Sequence, residues 1–266
     1  MEQVKDQGIR RLTVVVDLRD VEDDTKLNVS MSRNLSHIRS LTILEYYDWT
    51  PPLLDLKFLR VLSLRTNCYR IVVDLTCINQ LSQLRYLNVG GKLRLPYQIR
   101  GLRHLETLDL SQSSVVTAIN NSTLEIVDVP CLTNLLLPRN TASNVNLVCT
   151  LESIIGVGEL NTHLLYLGFH LPKRCAPLAK ATWMAALSTS LEKLSNLREL
   201  DLYYDEVACC ADELSSLSPS FNKLVQLDMQ GCTFSRVPRW IGHLRNICVL
   251  RLGVKQMGHR PYSDFS

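Results

Sequence analysis

A six-residue pattern of the form L-x-x-L-x-L constrains this chain more than any other feature. It stands complete at Leu59–Leu64, Leu105–Leu110, Leu132–Leu137 and Leu197–Leu202. With one or two other apolar residues in the leucine places it returns at Ile9–Val14, Ile38–Ile43, Leu84–Val89, Leu164–Phe169, Leu224–Met229 and Ile247–Leu252. The central leucines of these ten units are residues 12, 41, 62, 87, 108, 135, 167, 200, 227 and 250, with gaps of 29, 21, 25, 21, 27, 32, 33, 27 and 23 residues. Most gaps match a repeat period of ~20–29 residues, built from one short strand and a return segment. The two longer gaps point to a degenerate unit near Leu151–Ile154 and an enlarged outer segment.

Side chains alternate along a strand, so the leucines of each x-L-x-L stretch face one side and the x residues the other. A single unit cannot bury its leucines. Stacking units in parallel gives a continuous core, with each fully buried leucine contributing ~1.5–3 kcal/mol. The expected fold is therefore α/β: a leucine-rich repeat solenoid, or horseshoe, with a concave parallel β-sheet and an irregular or helical convex side. Residues 1–8 read as a disordered or truncated segment, 9–253 as about ten to eleven repeats, and 254–266 as a C-terminal tail. Two return segments share their spacing: Leu95-Pro96-Tyr97-Gln98-Ile99 before Leu102 and Leu105, and Val237-Pro238-Arg239-Trp240-Ile241 before Leu244 and Ile247. A proline tolerates the first helical position, so both predict a short convex helix. A longer helix is expected over 178–194, where Trp183, Leu187, Leu191 and Leu194 fall near helical spacing.

Composition narrows the function. An apolar fraction of 46% excludes a disordered chain, and 29 Lys plus Arg against 26 Asp plus Glu is too balanced for a nucleic-acid partner. The nine cysteines are odd in number and include no C-x-x-C pair, which reads as reduced thiols in a cytoplasmic protein. The polar start Met1–Gly8 has no apolar signal region, and no run of ~18 apolar residues exists to span a membrane. The glycosylation-type triplets at Asn28 and Asn34 then read as chance matches.

The run Arg11–Val14 followed by Met31–Thr42 resembles the start of the repeat domain of plant intracellular disease-resistance receptors. Phe58–Leu64, Leu84–Leu87, Leu95-Pro96 through Leu110, and Val237–Ile241 are similar to later units of the same family, especially in grasses. The resemblance covers about Ile9 to Leu252. It implies a protein-recognition module in plant innate immunity, binding a pathogen effector, a host protein or the receptor's own nucleotide-binding module. Family members carry that module before the repeats. Here no G-x-x-x-x-G-K-[ST] loop occurs, and in Ile154–Gly158 the third glycine position of a dinucleotide fingerprint is Asn161. No cofactor is expected. A stand-alone intracellular scaffold, a non-functional receptor fragment and a secreted ectodomain stay open as alternatives.

An enzyme is disfavoured. The histidines at 37, 104, 163, 170, 243 and 259 include no pair at i, i+4, and neither H-E-x-x-H nor G-x-S-x-G occurs. The concave face is the better candidate. Arg39, Arg60, Arg85 and Arg198 follow the leading aliphatic residues, and on strands ~4.8 Å apart the first three would form a basic ladder. Asp109, Asp201, Asp228 and Arg251 precede the last apolar position, and Tyr86, Tyr166 and Tyr203 face outward in the same register. Tyrosine is favoured at interfaces, since it buries a large ring and keeps a hydrogen-bonding end. Tyr46, Tyr47 and Trp49 follow the second strand, at a contact site or packed at the convex edge.

Overall fold

The computed structural model describes residues 10–15, 37–44, 53–65, 72–96, 98–115, 125–127, 129–137, 163–170, 191–192, 194–203, 209–210, 212–217 and 221–255. Its organising element is an eleven-stranded parallel sheet. Ten strands are the predicted ones: Arg11–Val15, Ser40–Leu44, Val61–Arg65, Tyr86–Val89, Thr107–Asp109, Asn134–Leu136, Tyr166–His170, Glu199–Tyr203, Gln226–Phe234 and Val249–Val254. All ten central leucines pair in one unbroken row from Leu12 to Leu250. The leading and trailing apolar residues of the inner units join them in a single core, fully or almost fully buried. The row is less protected at its ends: Leu12 is half-buried and Leu250 is 42% exposed. Each of these two units has a described neighbour on one side only, and stacking predicts such exposure there.

The eleventh strand, Cys209–Cys210, was not expected. It pairs with the far half of Gln226–Phe234, through Cys232 and Thr233. That long strand turns a corner between Met229 and Thr233, where its register against Val249–Val254 shifts. Gly231 (φ 80°) takes the left-handed conformation needed there.

The convex side corrects one of the two predicted proline helices. After Pro238, Arg239–His243 is a short 3-10 helix that buries Trp240 and Ile241. After Pro96, Gln98–Arg100 is instead a strand, paired in parallel with Glu125–Val127. Its other edge is held by Asn79, which donates Nδ2 to the Gln98 carbonyl (2.9 Å) and accepts the Arg100 N–H at Oδ1 (3.1 Å). Extended backbone is favoured wherever both edges find partners. A second convex sheet joins Val72–Asp74, Gly91–Arg94 and Ser113–Val115. The helix expected over 178–194 lies outside the described residues except for its end, where Leu191 is helical and buried. The degenerate unit near 151–154, the stretch 154–161 and the aromatics 46–49 also lie outside them.

Candidate functional site

Two residues before each central leucine, backbone hydrogen bonds run from coil to coil. The Arg39 N–H donates to the Arg10 carbonyl, Arg60 to Arg39, Arg85 to Arg60 and Glu106 to Arg85, all at 2.7–2.8 Å. The row continues through Thr133, Leu165, Arg198, Val225 and Cys248. Arg39, Arg60, Arg85 and Arg198 therefore stand one residue ahead of the paired strands, exposed along the N-terminal rim of the sheet. The first three are consecutive along the row. Arg10 heads the same ladder and went unnoticed in the sequence, although its place two residues before Leu12 marks it. Glu106 ends the ladder, with its Oε1 2.9 Å from Arg85 Nη1. Both side chains are half exposed, so this pair contributes only ~0–1 kcal/mol.

The inner face proper carries the other predicted residues in two rows. Tyr86, Thr107, Asn134 and Tyr166 are successive register partners in one. Asn88, Asp109, Leu136, Gly168, Asp201, Asp228 and Arg251 form the next. Tyr203 lies two residues beyond Asp201 on the same strand. Hydrogen bonds divide these residues into an early and a late cluster. In the early one, Arg65 Nε donates to Asn88 Oδ1 (3.3 Å) and Asn88 Nδ2 donates to Asp109 Oδ2. Asp109 Oδ1 also accepts the Ser111 N–H (3.0 Å) and hydroxyl (2.7 Å). Tyr86 stands half-buried beside this cluster, on the strand that carries Asn88.

The late cluster centres on Asp201. Its Oδ2 accepts the hydroxyls of Tyr166 (2.7 Å) and Tyr203 (3.1 Å), and its Oδ1 accepts Gln226 Nε2 (3.4 Å). Tyr166 reaches Asp201 on the next strand because Gly168, beneath it, has no side chain. A Cβ at Gly168 would stand 3.2 Å from the Tyr166 hydroxyl oxygen. One strand further, Arg251 Nη1 binds Asp228 Oδ2 at 2.8 Å. Asp201 and Asp228 are nearly buried, at 5% and 3% exposure. Sequence reading named Tyr166, Asp201, Tyr203, Asp228 and Arg251 separately; it missed Gly168 and Gln226, and the convergence of the two hydroxyls on one oxygen.

Burial, reinforced by the hydrogen bond to and charge of Asp201, holds the Tyr166 phenol well above its ordinary range. Burial and the Asp201 charge push Tyr203 from 10.0 up to about 12. The hydrogen bond to Asp228, with its charge, raises Arg251. A raised phenol pKa means that the folded state holds the proton more tightly than the unfolded chain. The stability this gives is complete below pH ~10 and is lost as pH rises through about 12. In a phenolate absorbance titration, Tyr166 and Tyr203 should ionise late, and Asp201→Asn should move Tyr203 back toward 10.0. A titration of Tyr203 unchanged by that substitution would break the assigned link.

Among the described residues, no three His, Cys, Asp or Glu side chains gather as a metal site would require. His37, His104, His163 and His243 are exposed and lie on different coils. No described helix is long and apolar enough to cross a membrane.

An arc of stacked parallel strands with aliphatic rows inside and a polar inner face defines a leucine-rich repeat solenoid, and residues 37–261 match the family described as leucine-rich repeat region. The chain belongs to that family. It is 29% identical over 248 residues to disease resistance protein RGA5 of Oryza sativa subsp. japonica, an alignment covering 84% of this chain and 22% of that protein. The chain thus spans about a fifth of that relative's length. Among solved structures it is similar to a leucine-rich repeat protein of Leptospira interrogans (18% identity, TM-score 0.29, covering 83% of this chain and 74% of that one). It is also similar to a TDR receptor (16% identity, TM-score 0.32, covering 83% and 44%).

Proposed function

We propose that this chain is a protein-recognition module of plant defence, working by binding rather than catalysis. It grips a pathogen effector, a host protein or a receptor's nucleotide-binding module through the inner face and leading rim of its solenoid. The observation that carries this reading is the run of consecutive exposed arginines on the rim beside tyrosines on the inner face, since arginine and tyrosine are both enriched at protein interfaces. Similarity to a disease resistance protein supports the defence setting. Free thiols at Cys77, Cys131 and Cys248 are in keeping with work in the cytoplasm.

Affinity capture from plant cytosol, with the full chain as bait, tests this directly. Arg60→Glu combined with Arg85→Glu should weaken binding of a captured partner. Both arginines are exposed, so stability should change by no more than ~0.5 kcal/mol at Arg60 and by about 1 kcal/mol at Arg85, which loses its Glu106 partner. The check is a binding titration run beside a thermal melt. Unchanged affinity would remove the ladder from the interface. Unchanged affinity in Tyr86→Ala and Tyr166→Ala as well would refute binding through the concave face.

A further inference from the structure

We infer that the inner face of the late coils recognises a cation: an arginine or lysine side chain of a protein partner seats against Tyr166 and Tyr203 in front of the Asp201 carboxylate. This rests on the concave-face reading above and narrows it to the chemistry of the partner.

Asp201 is 5% exposed, and its hydrogen-bond partners Tyr166, Tyr203 and Gln226 are all neutral. Neutral donors hold a carboxylate in place without a cation on it. The Arg251 guanidinium bound to Asp228 acts on Asp201 only from a distance, and a charge so poorly hydrated favours an opposite charge in direct contact. The face already shows this preference. On the next strand, in the same row, Asp228 has drawn the Arg251 guanidinium to 2.8 Å, although the arginine side chain is 59% exposed. Arg251 is thus an internal example of a guanidinium seated on this surface, beside a second carboxylate one strand away.

The tyrosines supply the rest of the recognition surface. Both hydroxyls are fixed on one carboxylate oxygen, so both rings are positioned before any partner arrives. Aromatic faces attract cations, arginine most often. Gly168 keeps the floor low enough for Tyr166 to lie across it. The rim of the early coils carries Arg39, Arg60 and Arg85 instead, so a basic side chain is repelled there and steered to the late coils.

A random peptide display library selected on the full chain tests the inference. The selected peptides should be enriched in arginine and lysine over the starting library. Replacing the basic residue of the best peptide by glutamine should weaken its Kd on the order of tenfold. Asp201→Asn should cause a similar loss, and the two changes together should cost less than their product. Gly168→Ala, which displaces Tyr166 without altering any charge, should weaken binding too, so the inference does not depend on one variant folding. Circular dichroism establishes that each variant folds. Peptides without basic enrichment, or insensitive to both Asp201→Asn and Gly168→Ala, overturn the inference. If such peptides still lose binding in Tyr166→Ala or Tyr86→Ala, the concave-face reading survives. If no concave variant affects them, both readings fall.

Discussion

Trp240→Ala is expected to destabilise the late coils by ~3–5 kcal/mol, the usual range for emptying a buried tryptophan site. Trp240 is 6% exposed, and its ring meets Phe221 edge-on with centroids 6.3 Å apart. Its indole N–H donates to the Leu214 carbonyl at 2.8 Å, joining the turn after Pro238 to the preceding coil. Trp240→Phe separates the two contributions. It restores much of the packing but leaves the Leu214 carbonyl without its donor, at a cost of ~1–3 kcal/mol. Urea unfolding followed by circular dichroism measures both. A loss below about 1 kcal/mol for Trp240→Ala would show that the site collapses around the gap and that this residue does not anchor the end of the solenoid.

Leu108→Ala should cost ~2–5 kcal/mol, whereas Leu250→Ala should cost ~1 kcal/mol or less. The two leucines occupy the same row of the same sheet and differ in surroundings. Leu108 is fully buried between the coils of Leu87 and Leu135, while Leu250 is 42% exposed on the last described strand. Because each coil touches only its neighbours, the central substitution should also loosen the coupling between the two halves of the arc. Hydrogen exchange should then show early and late strands opening with separate free energies. Equal losses at the two positions would contradict a core that runs continuously through the middle and thins at its ends.

The concave sheet was legible in the sequence because its signal is the burial itself. A leucine in every coil, with fixed alternation around it, sets both the strand and its register, and Leu12 through Leu250 pair as the spacing requires. The convex side lacks such a code. Leu95-Pro96 and Val237-Pro238 open segments of identical spacing, yet one becomes a strand and the other a 3-10 helix. The difference lies outside both segments, in whether a neighbouring coil offers Glu125–Val127 and Asn79 as edge partners. The candidate site was legible residue by residue but not as a unit. Parity alone placed Tyr166, Asp201 and Tyr203 outward. The diagonal contact from Tyr166 to Asp201 depends on a bare position between them, and Gly168, in the row where four other coils carry Asp or Asn, was the available clue.

The central leucines pair one to one across the sheet although 21 to 33 residues separate them along the chain. Strand position is therefore measured in turns of the spiral, and a longer connection shifts no strand. Such a scaffold works as a ruler with interchangeable marks. Whole turns can be duplicated or lost, and outer segments can lengthen, while the inner surface keeps a fixed pitch of ~4.8 Å per strand on which new residues can be tried one column at a time.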